Sequence, residues 1–145
     1  MDIISTNLFS QVNYWAVVVA ALVTFFLGGL WYSPALFEEL WMNANGYSEE
    51  QVKQMQSALG VTGFAGAFLA YLLMAMVFAL LLAVLNIESV GGGLLLGILI
   101  WFGFVATTGL TVNLFSIRPL SSWSIDAAYQ LVFLLVTGAI LGLWR

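Results

Sequence analysis

Few side chains in this sequence can do chemistry, and the missing types decide as much as those present. The 145 residues contain no Cys and no His, seven carboxylates, and three cations, Lys53, Arg118 and Arg145. Without thiol or imidazole, the common nucleophile–base pairs and the usual Zn, Cu or haem ligand sets are excluded. An oxygen-only Mg or Ca site needs converging carboxylates. Glu38–Glu39 and Glu49–Glu50 do not supply one, because adjacent residues on a helix diverge by about 100°. Gly91-Gly92-Gly93 runs into apolar sequence with no P-loop Lys after it, so it reads as a linker and not a phosphate cradle. No catalytic residue, metal ligand or cofactor is expected.

The remaining candidates are polar residues set in apolar sequence. Thr107, Thr108, Thr111 and Asn113 lead toward Arg118. Asp126, Tyr129, Gln130 and, further along, Thr137 share one helical face. Together Thr107, Thr111, Asn113, Arg118, Asp126, Tyr129 and Gln130 would form a polar seam between the third and fourth apolar segments. Its functional reading is solute binding or conduction, the usual role of an ionisable group in a membrane helix. Its structural reading is an acid favoured by the macrodipole in a first helical turn, beside threonines bonded to their own backbone. Arg118 is expected to reach either the Asp126 carboxylate or the carbonyls ending the preceding helix. Either contact would pin the turn at Pro119 and hold Asn113, Tyr129 and Gln130 toward one another.

The elements that position these residues follow from composition. Hydrophobic residues make up 63% and charged residues 7%, against about 25% charged in a soluble domain. The solvent for most of this single domain, residues 1–145, is therefore hydrocarbon, and membrane lipids are its first partners. A net charge of −4 with only three cations excludes a basic nucleic-acid surface. A membrane helix needs about 20 apolar residues, and four stretches qualify, approximately 13–32, 61–85, 90–115 and 123–144. Their unbroken apolar character rules out barrel strands. The expected fold is an all-α integral membrane protein of four transmembrane helices in an antiparallel bundle. The start, Met1-Asp2-Ile3-Ile4, lacks a basic n-region, so the first helix is expected to be retained. Trp15 with Trp31, and Trp123 with Trp144, fit interfacial belts, with Arg145 snorkelling at the end. Trp101, mid-span, reads as a packing residue between helices.

The connector 33–60 is the sizeable extramembrane piece. Ser33 before Pro34 suggests an N-cap with proline at the first helical position. Leu36, Phe37, Leu40 and Trp41 then face one side of a short interfacial helix, with Glu38 and Glu39 on the other. Asn43 to Gly46 ends it, and Ser48-Glu49-Glu50-Gln51 is a capping box opening a second helix. That helix has Glu49–Lys53 as an i,i+4 pair and Val52, Met55 and Leu59 as its apolar edge. The links at 86–89 and 116–122 are short, which makes neighbouring spans antiparallel. Both termini then share one side, placed outside by Lys53 and Arg118 in the first and third links. Small residues recur at four-residue spacing in every span: Ala16, Ala20, Thr24, Gly28; Gly63, Ala67, then Ala75, Ala79, Ala83; Gly93, Gly97; Gly138, Gly142. Such ridges permit close helix packing, within a chain or between chains.

Several motifs together resemble domain-of-unknown-function family 1761. They are Asn13-Tyr14-Trp15-Ala16-Val17, Gly29-Leu30-Trp31-Tyr32-Ser33-Pro34 with Phe37 and Trp41, and Trp101 through Thr108. Asn113-Leu114-Phe115, Arg118-Pro119, Ala127-Ala128-Tyr129-Gln130-Leu131 and Gly138 to Gly142 continue the likeness over nearly the whole chain. The resemblance implies a small bacterial four-helix protein of the plasma membrane, with Trp31, Tyr32, Ser33, Pro34, Phe115 and Pro119 as structural motif residues. Family members often carry His where this chain has Gln130. The resemblance implies no activity. The function expected is non-enzymatic: assembly, scaffolding or an accessory role, as a homo-oligomer or beside an unidentified membrane protein. The alternative is an oligomeric small-solute channel or transporter using the seam.

Overall fold

The computed structural model describes residues 6–144, with side chains from Leu8 onward. The readings made on Met1 to Ile4 and on Arg145 lie outside the described residues. The elements are α1 (Thr6–Ser10), α2 (Tyr14–Trp31), α3 (Glu38–Asn45), α4 (Glu49–Val84), α5 (Val90–Ile100), a π-helical segment (Trp101–Val105), α6 (Ala106–Phe115) and α7 (Leu120–Leu143). Four stretches are long and apolar enough to cross a membrane: α2, the apolar part of α4, Val90–Phe115, and α7.

Helix starts obey local side-chain chemistry. Asn13 Oδ1 accepts from Ala16 N at 3.1 Å, and Ser89 Oγ from Gly92 N at 3.1 Å. Both bonds of the Ser48–Gln51 capping box form, and Lys53 lies 4.0 Å from Glu49. The expected start of the first connector helix is corrected. Ser33 does not cap it; its Oγ donates back to Leu30 O at 2.7 Å. Pro34 lies in a turn closed by Phe37 N on Trp31 O at 3.1 Å, and α3 opens only at Glu38. The Phe37 ring packs on Trp31, centroids 4.4 Å apart, and that contact holds the chain in the turn. Of the apolar side expected for this helix, Phe37 and Trp41 are half-buried while Leu36 and Leu40 are exposed.

The second connector helix and span 2 run together as α4 and bend at Gly60, whose φ of 55° and ψ of −170° belong to glycine. The third span is interrupted: between Trp101 and Val105 the ladder widens, and Ala106 N donates to Trp101 O. The fourth helix starts at Leu120, after an extended Pro119, instead of at residue 123. Asp126 therefore sits in the second turn, away from the orphan amides on which the macrodipole argument relied.

Small residues decide the packing, and they are used inside the chain. Ala16, Ala20 and Thr24 of α2 and Ala75, Ala79 and Ala83 of α4 are buried where those spans meet. Spans 3 and 4 touch backbone to backbone: a Cβ at Gly93 would lie 2.1 Å from Gly138 O, and one at Gly142 would lie 2.6 Å from Ser89 O. The outer part of the span 2 ridge is different, since a Cβ at Gly63 would meet only Leu59 of its own helix. Helix α7 is the hub, packed against α5, α2 and α6 and more lightly against α4, which packs mainly on α2. Spans 2 and 3 have no extended contact, and a groove lies between them with α7 as its floor.

Candidate functional site

The polar residues of α7 point in two directions. Tyr129 is buried, and its hydroxyl donates to the Thr24 carbonyl at 3.2 Å. That leaves Tyr71 of α4 to donate to the Tyr129 oxygen across 2.6 Å. On a neighbouring face of the helix, Asp126 and Gln130 are half-buried and line the groove. The Asp126 Oδ1 accepts from the Tyr32 hydroxyl at 2.8 Å. Tyr32 is set in place as the residue closing α2, its N–H bonded to Gly28 O, and by edge contacts with Tyr129 at 5.5 Å and Trp41 at 6.0 Å.

The expected pairing of Arg118 with Asp126 is not formed. Among the described residues the one ion pair is Lys53–Glu49. The turn at Arg118 is held by its backbone instead: Asn113 Nδ2 donates to the carbonyls of Arg118 at 3.0 Å and Pro119 at 3.3 Å, and Arg118 N donates to Asn113 O at 3.1 Å. These bonds support Ile117 at a left-handed φ of 55°. Asn113 is thus a turn clamp that also lines the groove with Gln130, while Tyr129 points away from it. With its backbone fixed, Arg118 lines the groove, and its guanidinium makes no ion pair among the described residues. Thr107 and Thr111 also leave the expected seam. Both are exposed, donating to Gly103 O at 3.0 Å and Thr107 O at 2.9 Å within their own helix. Phe115 is exposed, and Pro119 supplies the extended residue before α7.

What these residues build is a groove along spans 3 and 4, edged by Met74 of span 2, which brings Asn113, Arg118, Asp126 and Gln130 of the expected seam together. One lobe, about 560 Å³, is walled by apolar side chains including Met74, Phe104, Val112 and Trp123. A second lobe of about 560 Å³ lies under α3, with Tyr32, Glu38, Trp41 and Gln56 in its wall. The lobes share Arg118, Asp126 and Gln130. The connector is fastened over this end: Ser122 Oγ donates to Asn45 Oδ1 at 2.9 Å, and Asn45 Nδ2 donates to Trp41 O at 2.8 Å. Two indoles tie span 3 to span 4 beside it, Trp101 donating to Ala127 O at 2.7 Å and Trp123 to Ala106 O at 3.1 Å. Trp101 is the interhelical packing residue the sequence suggested. Among the described residues no three acidic side chains converge as a metal site would require.

Tyr71, Trp41, Gln56 and Trp123 were not among the residues expected at a site. Tyr71 had a legible signal: a phenol breaking a run of small residues on one helical face. Trp31, a motif residue, buries its indole N–H without a partner while stacking on Phe37.

Four helices long and apolar enough to span a bilayer, packed through glycine and alanine around a groove that opens sideways, define a multi-pass helical membrane protein. The chain belongs to the family described as "Protein of unknown function (DUF1761)", which matches residues 15–142. No curated protein and no solved structure matches it.

Proposed function

We propose that this is a non-enzymatic accessory protein of the bacterial plasma membrane that holds a lipid-like amphiphile in the lateral groove. The observation that carries this reading is a small polar group set in mainly apolar walls. Asp126, Gln130 and Arg118 line both lobes, the remaining walls are mainly apolar, and both lobes open toward the surroundings of the bundle. An occupant of such a groove meets hydrocarbon-like walls together with a few fixed polar groups, as an amphiphile requires. Among the described groove residues the hydroxyl bonded to a carboxylate is the Tyr32 phenol on Asp126, a weak nucleophile, which favours holding over turnover. Lys53 and Arg118 in the first and third links favour a cytoplasmic position for that end, with both termini outside. Association with copies of itself or with another membrane protein would extend this accessory role.

The oligomeric channel has less support. Thr107 and Thr111 are exposed and bonded within their own helix, which leaves fewer polar groups to line a path. The test is native mass spectrometry of protein taken from vesicles of defined phospholipids. Wild type should retain one lipid under conditions that strip the annular ones. Val112→Trp, which fills the groove from an exposed position, should lose it. Equal retention by the two proteins refutes the reading.

A further inference from the structure

We infer that the groove selects a zwitterionic phospholipid, with the ammonium at Asp126 and the phosphate at Arg118. The inference rests on the reading of the groove as an amphiphile site and specifies its ligand. Asp126 lies about 9 Å along α7 from the helix start, where an ionised carboxylate is costly without partners. Tyr32 satisfies Oδ1. Arg118 lines the same two lobes, and its guanidinium makes no ion pair there. Two opposite charges that share a groove without meeting each other are matched by a head that carries both signs a few bonds apart.

Each alternative head leaves a charge unmatched. An anionic head satisfies Arg118 but places its negative charge against Asp126 and, in the lobe under α3, Glu38. A cationic amphiphile satisfies the carboxylates and leaves the guanidinium unpaired. A phosphoethanolamine-type head answers both. Its phosphate takes the forked donors of Arg118, and its ammonium takes the Asp126 carboxylate beside the aromatic faces of Tyr32 and Trp41. The acyl chains then run along Met74, Phe104 and Val112 in the other lobe. Gln130, shared by both lobes, lies at the junction of head and chains.

The experiment is lipid competition in native mass spectrometry, using vesicles with equal phosphatidylethanolamine and phosphatidylglycerol of identical acyl chains. Wild type should retain the zwitterion over the anion by about tenfold, the size of one charge-assisted contact. Asp126→Asn should abolish the preference, while Arg118→Gln should lower retention of both lipids together. Should Asp126→Asn fail to fold, the wild-type ratio alone decides. A ratio near one, with retention still lost in Val112→Trp, overturns the head assignment and leaves the amphiphile site standing. A ratio near one with no effect of Val112→Trp overturns both.

Discussion

Gly91 and Gly93 lie two residues apart on α5, and the structure assigns them opposite responses to the same substitution. A Cβ at Gly93 would stand 2.1 Å from the Gly138 carbonyl oxygen and 2.8 Å from its carbon, whereas ordinary contact begins at 3.4 Å. Both obstacles are backbone, so no rotamer change relieves them, and spans 3 and 4 must separate by about an ångström. Overpacking of this kind costs about 1–3 kcal/mol, at times more. Separation would also stretch the indole bonds of Trp101 and Trp123 to the backbone across the interface, now 2.7 and 3.1 Å. A Cβ at Gly91 meets nothing within 4 Å, and replacing a helical glycine by alanine is worth at most about 1 kcal/mol in the stabilising direction. The assay is loss of folded protein on heating in detergent, followed by size-exclusion retention and by near-ultraviolet circular dichroism of the tryptophans. Gly93→Ala should melt well below wild type and Gly91→Ala at or above it. If the two variants melt together, the face that α5 presents to α7 is wrong.

Two further outcomes follow from the polar groups. Arg118→Leu and Asp126→Leu should be additive in stability to within about 0.5 kcal/mol, because no ion pair joins them. A larger coupling in the four-protein cycle would show that the pair forms after all. Tyr71→Phe and Tyr129→Phe should instead couple, each removing the same hydroxyl contact, by about 0.6 kcal/mol and no more than about 1.7. Additive melting shifts for the two phenols would remove that bond from the account.

The spans were legible because hydrocarbon solvent imposes length and apolarity on every crossing, and the capping box at Ser48 because its chemistry is local. The facing of Ala75, Ala79, Gly93 and Gly138 was legible as spacing, though not which contacts it served. Other features had no local signature. A threonine donates to its own helix whether it faces protein or lipid, so Thr107 and Thr111 carried no information on direction. The bond from Tyr32 to Asp126 joins residues 94 positions apart, and nothing near either announces the other. Ser33-Pro34 has the residues of a helix start, but the Phe37 ring on Trp31 outweighs that preference. The extra residue between Trp101 and Val105 left no polar mark in a wholly apolar stretch.

That extra residue acts as a phase shift. An α-helix turns about 100° per residue, so one residue absorbed in a wider turn rotates everything beyond it by nearly a third of a revolution relative to an uninterrupted helix. The half of span 3 before the wide turn keeps Gly93 and Gly97 against α7. After it, Thr107 and Thr111 point outward while Thr108, Val112 and Asn113 come round to the groove. Removing one residue from 101–105 would leave the glycine contact untouched and swing the distal half of the span. The groove wall would change without any residue of that wall being replaced. In this chain, a one-residue change in length at this place would alter the groove-facing surface more than many substitutions within it.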